Sequence, residues 1–189
     1  MRAMSEERNW MLLLDTDWEP PAERDADAEN GADGGAGAMP AAESIVGGWL
    51  VDDGGAVGPF EPNPLYLPTG DDAPSGPVDA AAKLVAAGVA DASLVLLAMR
   101  DSLTDLALDE AGEVIVEPAP DGQPCVLVAT GATDQTRVAA PGWRQVGGAE
   151  LVGLLPDGVD VLLNPGGPRA MRLFAGALRD ALAASARPA

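Results

Sequence analysis

The sequence predicts an α+β fold: a small mixed sheet with helices packed on one face, preceded by an acidic, partly disordered N-terminal arm and a β-hairpin. Three observations carry this. Two runs, CVLVAT at residues 125–130 and VDVLLN at 159–164, are apolar on both faces of a strand, which places them side by side inside a sheet. Helical periodicity appears before the first run and again after the second. Hairpin-like pieces separated by Gly and Pro turns supply the remaining strands.

Residues 1–44 contain a short strand-like piece, NWMLLLDTDW, followed by a Pro-, Ala-, Asp-, Glu- and Gly-rich tract between Glu19 and Pro40 that reads as a disordered linker. This segment holds 11 acidic and 3 basic side chains, so it is solvated or serves as an acidic partner-binding arm. The pentad WMLLL at 10–14 does not belong in polar disorder. It either docks back as an edge strand or waits for another protein to cover it.

Residues 45–76 read as a β-hairpin around Asp52, Asp53, Gly54 and Gly55, then an extended segment in which Pro59, Pro62, Pro64 and Pro68 forbid a central strand. Five of the seven aromatic residues, Trp10, Trp18, Trp49, Phe60 and Tyr66, fall before residue 67. They either pin the arm to the rest of the chain or form an interaction surface, and they are the first set of candidate partner-binding residues.

Residues 77–189 form the main domain. Pro77 opens a helix that halts near Gly88, and Asp91 caps a second one. Residues 103–108 and 114–116 suggest a hairpin, 125–130 a strand, 143–146 a short strand and 149–155 a short helix. In 158–182, Val159, Val161, Leu162 and Leu163 read as a buried strand and Asn164, Pro165, Gly166 and Gly167 as a forced turn. Met171, Phe174, Ala175, Leu178 and Leu182 then fall on one helical face, with Pro168 as the helix start.

On that helix Arg169, Arg172 and Arg179 share a face, the second set of candidate partner-binding residues. Two cations in a first helical turn oppose the macrodipole and call for an anionic neighbour, either an acid of the chain such as Asp105 or Asp160, the acidic arm, or a partner protein. Gly166 and Gly167 beside these arginines also suggest a small anionic ligand, against which stand the absence of a phosphate-loop motif and the donors removed by Pro165 and Pro168.

Composition excludes a good deal. A net charge of -19 repels nucleic acid phosphates and anionic headgroups. The chain has no histidine, which removes the usual general base and the commonest metal ligand, and its serines sit in no GxSxG setting. Cys125, the one cysteine, reads as a small buried hydrophobe. The carboxylate pairs Asp15/Asp17, Asp52/Asp53, Asp71/Asp72 and Asp109/Glu110 lack metal-site spacing and read as turn acids. No catalytic, metal or cofactor-binding residue is expected. With no run of membrane-spanning length and no signal-like core, a cytoplasmic protein without membrane insertion is expected.

Residues 77–182, with the strand CVLVAT, then GWRQV before a short helix, and VDVLLNPG near the end, resemble the SseB-like (enhanced serine sensitivity) domain. The first 75 residues, with WMLLLDTDWEP, VGGWLVDDGGAVGPFEPNPLY and PVDAAAKLVA, are similar to the N-terminal extension of actinobacterial type VII secretion system-associated proteins. The resemblance implies a non-enzymatic accessory or regulatory protein of a type VII (ESX-type) secretion system, whose partner is a secretion substrate, chaperone or machinery component. It transfers no catalytic residues, and Asn164, Pro165 and Gly166 carry over only as a structural signature.

Overall fold

The computed structural model describes residues 9–19, 40–70 and 72–185, which are α+β and divide into two compact units, one ending at Pro74 and the other starting at Ser75. Most of the linker expected between Glu19 and Pro40 lies outside the described residues.

In the first unit the strand-like piece docks. Strand β1 (Asn9–Leu14) pairs antiparallel with β2 (Ile45–Val51), which pairs antiparallel with β3 (Val57–Pro62). Arm and hairpin thus form one sheet with β2 at its centre. The turn between β2 and β3 closes on Asp52, whose Oδ1 accepts from the Ala56 N–H at 2.8 Å, and Gly55 supplies the positive φ of 81° that the reversal needs. After β3 the Pro-rich segment runs back along residues 42–46. Asn63 clamps it by donating to the Ala42 and Ile45 carbonyls at 2.7 and 2.8 Å. Two aromatic residues pin the start of the chain to this segment: the Tyr66 hydroxyl donates to Asp15 Oδ2 at 3.1 Å, and Trp18 Nε1 donates to the Leu67 carbonyl at 3.0 Å.

The second unit opens with α1 (Pro77–Ala86) and α2 (Ala92–Arg100), bounded as their sequence signals require. Pro77 starts α1, Gly88 with φ 72° follows its end, and the Asp91 carboxylate accepts from the Ser93 N–H at 2.8 Å. The strands are β4 (Leu103–Leu108), β5 (Val116–Pro118), β6 (Pro124–Ala129), β7 (Gly142–Gly147), β8 (Asp160–Leu163) and β9 (Met171–Leu173), with helices α3 (Ala132–Gln135), α4 (Gly148–Leu154) and α5 (Ala175–Ser185) between and after them. The six strands form one mixed sheet, five of them in the order β7-β4-β6-β8-β9 with β5 paired to β6 off this path.

The two doubly apolar runs pair as expected, β6 parallel to β8 with Val126 opposite Val161 and Leu127 opposite Leu162. Their alternation explains the double apolarity. Cys125, Leu127 and Leu162 pack with Ala107 and Ala119 and with the partly buried Ile115, Val138 and Trp143. Val126, Val128, Val161 and Leu163 point to the opposite face and are also buried. Helices α2, α4 and α5 contact one another, and α1 packs on α2.

Two expectations are corrected. The predicted hairpin of 103–108 with 114–116 survives only as an isolated bridge between Leu108 and Val114, because β5 turns away to pair with β6. The long helix predicted from Pro168 does not form there. Asn164 takes φ 48° and Gly166 φ 75°, and a bond from the Gly167 N–H to the Asn164 carbonyl closes the turn at 3.0 Å. The chain reverses into β9, which satisfies the edge of β8 away from β6, with Met171 opposite Leu163 and Leu173 opposite Val161. The helix begins instead at Ala175, whose N–H donates to the Asp160 carboxylate of β8 at 2.8 Å. Phe174, expected in the core, is 58% exposed.

Candidate functional site

In the first unit the central strand carries Gly47 and Gly48 side by side, an arrangement that weakens a strand unless something must approach its backbone closely. Something does on both faces. A Cβ on Gly47 would sit 2.4 Å from the Phe60 ring and 2.5 Å from the Glu61 carbonyl oxygen. One on Gly48 would meet the Met11 carbonyl oxygen at 2.8 Å and the Leu12 and Trp10 side chains at 3.3 Å. Side chains from the outer strands therefore cover the missing ones of β2.

The two faces differ in exposure. On one, Leu13 and Trp49 are fully buried, and Trp49 meets Phe60 edge-on with ring centroids 4.9 Å apart, a contact that adds about 1 kcal/mol to the burial of the rings. On the other, Trp10 is 40% and Leu12 37% exposed, and they border a groove of about 330 Å³ together with Ile45, Glu61, Pro62 and Pro64. The five candidate aromatic residues thus separate. Trp49 is buried and presents no surface to a partner, because its position on β2 turns it to the closed face. Phe60 is half-buried against it, Tyr66 and Trp18 are half-buried and hold Asp15 and Leu67, and Trp10 is left as the exposed ring. Leu12 is missed by a search for aromatic residues, although its period-2 relation to Trp10 in NWMLLL puts it on the same face.

The three candidate arginines share no helical face, since residues 168–173 are turn and strand. Arg169 lies in the turn before β9, and its Nε donates to the buried Asp79 carboxylate at 3.0 Å. Arg172, on β9, bridges Asp160 at 2.8 Å and Asp121 at 2.9 Å, and its guanidinium lies 4.6 Å from the Phe174 ring centre. The anionic neighbours called for by the sequence are thus acids of the same unit, with Asp160 among them. Arg179 is exposed on α5.

The Asn164-Pro165-Gly166 signature lies in a polar cluster at the carboxyl ends of β6 and β8. Asn164 is 1% exposed. Its Oδ1 accepts from the Thr130 N–H at 2.9 Å, and its Nδ2 donates to Thr130 Oγ1 at 2.9 Å. The one proton of that hydroxyl then goes to Asp134 Oδ2 at 3.0 Å, while Arg137 donates to the other Asp134 oxygen at 2.5 Å. No motif marks Thr130, Asp134 or Arg137, which bond one another from a single stretch of eight residues, and Asn164 joins Thr130 from 34 positions on; Asp79, equally unmarked on α1, is held by Ser75 and Arg169 instead. Each group of the cluster is satisfied within it, which fixes the loop geometry.

Cys125 is fully buried in β6, and burial, with the Asp160 carboxylate nearby, pushes its thiol above the ordinary value. Of the expected turn acids, Asp109 behaves as one, its Oδ1 accepting from the Ala111 and Glu113 N–H groups at 2.8 and 2.9 Å, whereas Asp15 is buried beneath the Tyr66 hydroxyl and Asp71 lies outside the described residues. No helix among the described residues is long and apolar enough to cross a membrane. Comparison with known proteins finds no matching family model, curated protein or solved structure.

Proposed function

We propose that this protein is a non-enzymatic accessory or regulatory protein that acts by binding another protein through the Trp10/Leu12 face of its first unit. One observation carries the reading: an exposed indole and an exposed leucine lie over a glycine of the central strand and border an apolar groove. Exposed rings beside an apolar groove are the usual anchors of protein interfaces. The resemblance to type VII secretion-associated proteins supplies the setting, in which the partner is a secretion substrate, chaperone or component of the machinery. A cytoplasmic site of action belongs to the same proposal.

The test is photocrosslinking in the native cell, with the crosslinking side chain at position 10 or, for comparison, at Val89 of the second unit, which is also exposed. A discrete protein adduct at position 10 and none at position 89 is the expected result. Equal adducts at both positions, or none at either, would remove the Trp10 face from consideration.

A further inference from the structure

The geometry points to strand addition: the outer edge of β1 binds an extended basic segment of a partner protein as a fourth strand of the first sheet. The inference rests on the interaction reading above and specifies its chemistry.

The two edges of the sheet are built differently. β3, at one edge, carries Pro59, Glu61 and Pro62, and prolines and charges are the usual means of keeping an edge from pairing with another chain. β1, at the other, reads Asn-Trp-Met-Leu-Leu-Leu, with neither a proline nor a charge over its six residues. Among the described residues its only strand partner is β2. A strand's outward amide and carbonyl groups are a template for a further strand, and alternate side chains of that strand would extend the Trp10/Leu12 face.

Charge selects the occupant. The described residues of the first unit include eight carboxylates, Asp15, Asp17, Glu19, Glu43, Asp52, Asp53, Glu61 and Asp72, and neither a lysine nor an arginine. Asp15 and Asp17 follow directly on the end of β1. A second copy of this chain would bring the same negative charge, whereas a segment alternating apolar and basic residues matches both the uncharged, apolar edge strand and the acids around it.

The probes are a synthetic peptide alternating Val and Lys, its Val/Glu counterpart, and the Lys peptide with every backbone amide N-methylated. Binding is followed by Trp10 emission and by amide hydrogen exchange in β1. The Lys peptide should slow exchange in β1 and bind at least about tenfold more tightly than the Glu peptide at low ionic strength, a gap that salt narrows. The N-methylated peptide should not bind, and Leu12→Lys, at a partly exposed position, should abolish binding while leaving the melting transition in place. Equal binding of the Glu peptide, binding of the N-methylated peptide, or unaltered exchange in β1 would each overturn strand addition. So would a wild-type dimer in sedimentation that Leu12→Lys dissociates, since a second copy would then hold the edge. A crosslinked partner at position 10 combined with unaltered β1 exchange would leave the interaction reading standing and remove this one.

Discussion

Arg169 and Asp79 meet across ninety positions of the chain, Nε donating to Oδ1 at 3.0 Å and tying the turn before β9 to the first turn of α1. The Asp79 side chain is 5% exposed and also accepts from the Ser75 N–H at 3.0 Å. Removing the cation alone leaves a buried carboxylate without its counter-charge. Arg169→Met should therefore lower the unfolding free energy by about 3 kcal/mol. In urea titrations the loss should shrink when Asp79→Asn is added, and additive losses would mean that the two residues do not act as a pair.

The glycines predict effects of opposite sign. Gly47→Ala forces a methyl against the Phe60 ring and the Glu61 carbonyl, and should destabilise the first sheet by about 1–3 kcal/mol. Gly153, inside α4, has open space where an added methyl would sit, with nothing within 4 Å, and no positive φ. Gly153→Ala should therefore stabilise by about 0.5–1 kcal/mol. Thermal melts of the two variants read both signs. A neutral Gly47→Ala would contradict the close approach of Phe60.

The tryptophans should separate spectroscopically. Trp49 is fully buried and Trp10 is 40% exposed. Trp49→Phe should remove the blue-shifted part of the emission, and Trp10→Phe should remove a part that acrylamide quenches readily. The reverse assignment would mean that β1 does not dock on β2 in solution.

How much of this is legible in the sequence depends on range. Pro77, Gly88 and Asp91 bound α1 and α2 through local geometry, and the sequence shows them directly. The pairing of β6 with β8 is legible because burial on both faces demands an apolar run without alternation. β9 is not. Met171, Phe174, Ala175 and Leu178 have helical spacing, and the open edge of β8 that draws Met171–Leu173 into a strand is set by tertiary structure. The same applies to the candidate site. Hydrophobicity marks Trp10 and Trp49 alike, and only the register of β1 on β2 separates the exposed ring from the buried one.

Asn164 is the buried, left-handed non-glycine residue that opens the turn, and two of its properties are separable by substitution. Asn164→Gly keeps φ 48° accessible but loses the bonds to Thr130, and should cost about 1–3 kcal/mol. Asn164→Ala loses the same bonds and adds the left-handed strain of a side chain with a Cβ, so it should cost about 1 kcal/mol more. Equal losses in urea unfolding would mean that the turn relaxes to another conformation.

The thiol of Cys125 gives the chain a pH dependence on the alkaline side. Burial raises its folded-state pKa, so above about pH 8.5 the unfolded chain ionises this group while the folded chain keeps the proton. The folded state then binds more protons than the unfolded one, and stability falls as pH rises through that range. Cys125→Ala lacks the group and should show a smaller alkaline loss than wild type in urea midpoints taken from about pH 7 to pH 10, on top of a constant penalty for the missing sulfur. Iodoacetamide should label the native protein slowly at about pH 8 and the urea-unfolded protein at the rate of a free thiol, because reaction requires an exposed thiolate. Rapid labelling of the native protein would mean that β6 opens to solvent at its Asp160 end, where Cys125 pairs in register with that residue.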